Sequence, residues 1–157
     1  MFSIFLYKSL CTIYSVDIGT KNIRVAVATP GKPIKLLPNP EGALTNANYL
    51  AYSLDVSDPL DPNAQWFIGS EAERIYHKNL THAVQNPFQY LDKPDEFPFP
   101  SIEAITAASI ALSLHLPKIK RSDDRVVVVV PSVYSLRARR TLARALRIIN
   151  ITAFQII

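Results

Sequence analysis

Five consecutive valines, Val126 to Val130, entered from Arg125 and closed by Pro131, limit the fold more than any other feature. β-Branched side chains lose rotamer freedom in a helix and pack well on a pleated surface. Side chains of a strand alternate between its two faces, so an unalternating apolar run predicts a central strand buried on both faces, in a sheet covered by helices. A helix is expected from about Leu136 to Ile149, with Ala138, Leu142, Ala145 and Ile149 on one face and Arg137, Arg140, Arg144 and Arg147 on another. Ile151 to Ile157 reads as a further apolar strand. With 48% apolar and 19% charged residues in 157, the chain has the composition of one ordinary globular domain, which excludes disorder.

The N-terminal half has a different texture. Thr12–Ile18 and Asn22–Ala28 alternate and favour β-branched residues around Gly19-Thr20-Lys21, which predicts an antiparallel hairpin. Pro30-Gly31-Lys32-Pro33 marks a second turn and Ile34–Leu37 a third strand, completing a meander. Asn48–Leu54 and Gln65–Ile68 read as strands separated by a Pro/Asp-rich loop over Ser57–Asn63. Ser70 is the expected N-cap of a helix reaching Lys78, with Glu71 and Glu73 in the first turn and Glu73 completing a capping box. Residues 86–100 hold Pro87, Pro94, Pro98 and Pro100, a density that predicts a connection without regular structure and outside the core. Ser101 is the expected cap of a helix to about Leu116, apolar almost all round and therefore buried on more than one side.

Charge and reactive side chains are unevenly informative. Residues 1–116 hold 8 Lys/Arg against 11 Asp/Glu, whereas 117–157 hold 9 against 2, so the net +4 is a C-terminal excess. Cys11 is the single cysteine, which excludes an internal disulfide and a cysteine-based zinc site. His77, His82 and His115 lack ligand spacing. Residues 1–14, MFSIFLYKSLCTIY, are too short to span a membrane, so no membrane span is expected. They read as either a degraded signal segment or an N-terminal strand. Asn79-Leu80-Thr81 and Asn150-Ile151-Thr152 are glycosylation triplets compatible with a secretory protein.

The hexapeptide Ser15-Val16-Asp17-Ile18-Gly19-Thr20 resembles the first phosphate motif of the actin, sugar-kinase and heat-shock ATPase superfamily. A glycine at the hairpin tip admits phosphate oxygens to backbone donors, the Thr20 hydroxyl adds another, and Asp17 can hold a hydrated magnesium ion. Three further segments follow in the family's order. Leu37-Pro38-Asn39-Pro40-Glu41-Gly42 with Thr45 to Tyr52 is similar to the end of its third strand. Phe67 to Ala72 with Val84-Gln85-Asn86-Pro87 is similar to its strand, glycine, helix and Asn-Pro element. Val127 to Pro131, Tyr134 and Arg139 to Ile157 are similar to its buried strand, turn, helix and last strand.

Together these cover nearly all of residues 15–157 and resemble the nucleotide-binding domain of the seventy-kilodalton heat-shock chaperone family. The Val27 to Pro33 hairpin is most like its large endoplasmic-reticulum branch. The resemblance implies an incomplete α/β lobe of actin-like ATPase (ribonuclease H-like) type, a mixed sheet flanked by helices, with a reduced small subdomain around 38–100. It implies ATP and Mg2+ as ligands, with Asp17, Gly19, Thr20, Lys21 and Asn22 as nucleotide-binding residues and Asp17 on the magnesium through water. It implies an ATP-binding chaperone of the endoplasmic reticulum lumen, with a cytoplasmic location as the alternative. Its partners would be unfolded client proteins and a resident heat-shock chaperone.

The segment Phe88 to Pro94 departs from the pattern where the family has its catalytic lysine, so that role is not carried over to Lys93. The second phosphate loop and adenosine pocket have no counterpart in these residues, and the expectation is a truncated domain that does not hydrolyse ATP alone. Three other readings use the same residues: a sugar kinase of the superfamily, an inactive pseudo-domain, and a basic-surface binder acting through the arginine stripe. No nucleic-acid partner is expected, because aromatic residues do not interleave with the arginines.

Overall fold

A computed structural model describes residues 11–39, 41–99, 101–117 and 124–157. The expectations for residues 1–10 and for Pro40 and Pro100 lie outside the described residues. Ile13–Ile18 (β1) and Asn22–Ala28 (β2) form the expected antiparallel hairpin, Ile18 facing Ile23 beside the turn. Lys35–Leu36 (β3) adds to β2, as the meander requires. Asn46–Ala47 (β4) also pairs with β2, beside the hairpin turn. The chain then leaves for a second sheet made of Tyr49–Tyr52 (β5), Trp66–Ile68 (β6) and Ala83–Gln85 (β7), with helix Gly69–Lys78 (α1) between β6 and β7. Helix Ala104–His115 (α2) leads back to Arg125–Val129 (β8), helix Leu136–Ile148 (α3) and Phe154–Ile156 (β9).

The main sheet has the order β3-β2-β1-β8-β9, and the second β6-β5-β7. β8 is parallel to both β1 and β9, while β2 is antiparallel to β1, so the protein is α/β with a mixed sheet and flanking helices. Val16, Ile18, Val25, Val126 and Val128 turn one face of the sheet into a core shared with Leu112 of α2 and Leu142 and Leu146 of α3. Ala107, Ala108, Ala138 and Ala145 are buried there, and their small side chains let the helices approach until the Ser109 hydroxyl donates across to the Ala145 carbonyl at 3.3 Å.

The central position of the valine strand is as expected, but its burial on two faces is not. Val126, Val128 and Val130 are sealed, whereas Val127 and Val129 are half-buried and belong to no hydrophobic cluster.

Three other expectations are corrected. Ser70 is not the cap of α1. Gly69, at φ +67°, turns the chain into the helix one residue earlier, no side chain caps it, and the Ser70 hydroxyl instead donates to the Glu41 carboxylate. Ser101 does not cap α2, whose first helical residue is Ala104 and whose cap position is Glu103. Residues 86–100 are not outside the core either: two 3-10 turns, Pro87–Leu91 and Pro94–Glu96, each begin on a proline, and Phe88, Leu91 and Phe99 are fully buried. Proline is tolerated there because the first N–H of a helical turn has no intrahelical acceptor.

The second sheet is also two-faced. Tyr49, Ala51 and Ala83 meet Ala72 and Ile75 of α1, while Leu50, Tyr52 and Val84 point into the main core. Tyr52 stacks on His82 with ring centroids 4.5 Å apart and meets Phe99 edge-on.

Buried His115 closes α2 at the inner end of a partly buried polar chain whose directions can be assigned. The Glu41 and Ala43 N–H groups donate to Asn39 Oδ1, so Asn39 Nδ2 donates to Asn46 Oδ1 at 2.7 Å and Asn46 Nδ2 donates to His115 Nδ1 at 3.3 Å. The ring proton is therefore on Nε2, a buried donor without a partner among the described residues. Burial lowers the His115 pKa from 6.5 to about 4. Protons then favour the unfolded chain: the stability present above pH 6.5 is lost as pH falls towards 4, by about 1.4 kcal/mol per unit. Urea unfolding across that window is expected to show this slope in the native protein and a flatter one in His115→Gln. An identical slope in the variant would assign the dependence to another group.

Candidate functional site

The hairpin turn between β1 and β2 lies where the two sheets meet, and it is built from consecutive residues. Gly19 N–H donates back to the Asn22 carbonyl at 2.9 Å, closing the turn tightly. A Cβ on Gly19 would stand 2.8 Å from that same carbonyl oxygen, so a side chain is excluded by contact rather than by backbone handedness. This changes the expected role of the glycine. Its own N–H is consumed by the turn, and the backbone donors left without a partner among the described residues are those of Thr20 and Lys21. Thr20, Lys21 and Asn22 are exposed, which leaves the Thr20 hydroxyl and the Lys21 ammonium accessible to solvent.

Asp17 sits one residue before the end of β1. It is half-buried, opposite Arg24 on β2 and Val129 on β8. Strand alternation puts it on the half-buried face with Ser15 and Val127, away from Val16 and Ile18. No ion pair joins it to Arg24. Among the described residues no group of three or more His, Cys, Asp or Glu side chains is arranged to hold a metal ion. A single carboxylate suits a magnesium ion that keeps most of its water, not a cage of protein ligands.

Two residues that sequence reasoning left without a role brace the turn. Asn48, almost fully buried, donates through Nδ2 to the Gly19 carbonyl at 2.8 Å and to Asn86 Oδ1 at 3.1 Å. Its backbone N–H donates to the Lys21 carbonyl at 2.8 Å, and the Asn86 N–H donates to the Asn48 carbonyl at 2.7 Å. Asn86 adopts a left-handed conformation with φ 45°. Asparagine tolerates that region, and the following Pro87 disfavours the right-handed alternative. Asn48 Oδ1 is left buried and unpartnered among the described residues. The available signal was a pair of amides flanked by buried apolar residues, Asn48 before Tyr49 and Asn86 before Pro87-Phe88, where an unpaired polar group would be unfavourable.

Lys93 lies apart from this geometry in its own pairing. It follows the first 3-10 turn, is largely exposed, and bonds Glu96 with Nζ to Oε1 at 3.1 Å. A second polar station sits at the start of α3, where Ser135 accepts from the Ala138 N–H at 3.1 Å and its hydroxyl donates to the Asp92 carboxylate. Beside it the Tyr134 phenol is pushed up to about 12, first by burial and then by the Asp92 charge, and its hydroxyl has no partner among the described residues. Ser135 is thus the cap of α3, a role absent from the sequence reading.

No protein-family model and no curated protein matches the chain. No helix among the described residues is long and apolar enough to cross a membrane.

Asn48→Ala would leave the Gly19 carbonyl and Asn86 Oδ1 without their shared donor. It is expected to destabilise the protein by about 2 kcal/mol. Amide exchange over residues 19–22 should accelerate more than exchange in α3. Equal acceleration in both places would mean that Asn48 supports the fold generally and not the turn.

Proposed function

We propose that the chain is one half of a nucleotide-binding cleft of the actin-like ATPase kind, serving an ATP-driven chaperone of the heat-shock type. The observation that carries this reading is the position of the Asp17 to Asn22 turn: it follows the central strand β1, is closed by glycine, and presents a hydroxyl and two N–H groups without partners among the described residues, next to the half-buried carboxylate of Asp17. Consecutive free backbone donors at a strand end suit phosphate oxygens. The strand order β3-β2-β1-β8-β9, with β2 alone antiparallel to β1 in the first hairpin and β8 and β9 parallel to it, supports the same reading.

Within this proposal Thr20 and Lys21 contact the terminal phosphates and Asp17 orients magnesium through its water shell. Lys93 has no part, being engaged with Glu96. When bound, Mg-ATP would supply the free energy that opens and closes the cleft, and in a whole chaperone that motion would change affinity for unfolded clients. The endoplasmic reticulum lumen and a resident heat-shock chaperone are the compartment and partner that the resemblance favours. One turn contributes a minority of the contacts a nucleotide needs, so affinity should be low.

Titration of the chain with Mg-ATP, followed by amide chemical shifts, is expected to move Thr20, Lys21 and Asn22 with a roughly millimolar Kd. Asp17→Asn should remove the magnesium dependence while sparing the fold. Shifts confined to other regions would end this reading, as would none at saturating nucleotide.

A further inference from the structure

The exposed face of α3 is not accounted for by the turn or by the fold. Arg137, Arg140, Arg144 and Arg147 stand at spacings of three and four residues, all exposed, and α3 contains no acidic residue. Among the described residues none of the four forms an ion pair. Like charges at these spacings weaken a helix by about 0.2–0.5 kcal/mol per pair, and Arg137 lies in the first turn, where the helix dipole disfavours a cation. A face selected only for solvation would mix signs. This one sacrifices helix stability, which is restored on the other side by burial of Ala138, Leu142, Ala145 and Leu146.

Apolar side chains frame the stripe. Val133 is 84% exposed and Leu136 63% exposed at its start, and Ile148 is 56% exposed at its end. Arg147 is held over the Phe154 ring at 5.5 Å, which fixes one end of the stripe to the sheet. From Arg137 to Arg147 the stripe is about 15 Å long, three helical turns.

We propose that this face docks an acidic amphipathic helix of a partner protein, with Asp or Glu residues at matching spacing and aliphatic residues at each end. An anionic membrane is disfavoured because the apolar face of α3 is committed to the core and cannot insert. Nucleic acid would leave Val133, Leu136 and Ile148 unused, and the stripe offers no aromatic platform for bases. Arginine suits carboxylate recognition through its planar, bidentate fork.

The test uses the full chain and a fluorescent helical peptide carrying Glu at i, i+3, i+7 and i+10 between terminal leucines. Saturable binding that weakens with salt is expected. Arg140→Glu with Arg144→Glu should lower affinity about tenfold or more while leaving the melting temperature unchanged or raising it, since both side chains are exposed and the change replaces the 137/140 and 144/147 repulsions by attractions. Val133→Ser with Leu136→Ser should weaken binding without changing its salt dependence. The proposal is overturned if the peptide does not bind, if the arginine variant binds equally well, or if a single-stranded oligonucleotide or phosphatidylserine vesicles bind more tightly than the peptide. None of these outcomes depends on nucleotide binding at the turn.

Discussion

The parallel pairing of β1 with β8 is the contact on which the remaining structure depends. It aligns Ile13 with Arg125 and Asp17 with Val129, bringing together segments separated by more than half the chain. Closing a loop of roughly a hundred residues has an entropic penalty of about 4 kcal/mol beyond a constant. The compensation is visible in the same strands: Val16, Val126 and Val128 are fully buried against α2 and α3. Everything between them, including the second sheet, α1, both 3-10 turns and α2, is an excursion whose two ends are fixed by that ladder. Because β1 is central, its end is also the point where the first turn emerges from the most constrained part of the sheet.

Elements defined by local pattern were legible. The hairpin, the short third strand and the valine strand declared themselves through alternation, turn residues and β-branched runs, and α3 through the separation of its alanine/leucine and arginine faces. What escaped depends on partners distant in sequence. β4 and β7, of two and three residues, are too short to carry a period. The proline-rich connection reads as a segment without regular structure and outside the core, and the structure overturns both, with two short 3-10 turns. Phe88 and Leu91 lie three residues apart, one 3-10 turn, and that spacing puts both in the core. Ser70 failed as a cap because Gly69 turns the chain first and Glu41 takes the hydroxyl.

The candidate site was legible in the same graded way. Asp17 to Asn22 form a contiguous motif, so their neighbourhood follows from the hairpin alone. The turn's rigidity does not follow from it. Asn48 and Asn86 are 38 positions apart, and only the packing of the second sheet against the first makes one amide serve both Asn86 and Gly19. Within a poorly polarisable interior such a network is stiff when satisfied and unfavourable when broken. Among the described residues Asn48 Oδ1 is a point in this network where satisfaction is incomplete.

Two polar networks, one partly buried and one buried between Asn48 and Asn86, leave the same short stretch of chain. Asn46, inside β4, bonds Asn39 and the His115 ring at the end of α2, while Asn48, two residues on, bonds the Gly19 carbonyl and Asn86. Between them Ala47 pairs with Asn22 on β2. A displacement of this stretch therefore strains the α2 terminus, the second strand and the turn together. Closure of Gly19 onto Asn22 further prevents the turn from relaxing independently. The donors of Thr20 and Lys21 are held in place not by their own residues, which are exposed, but by the buried amides behind them, so their geometry depends on the integrity of the joint between the two sheets.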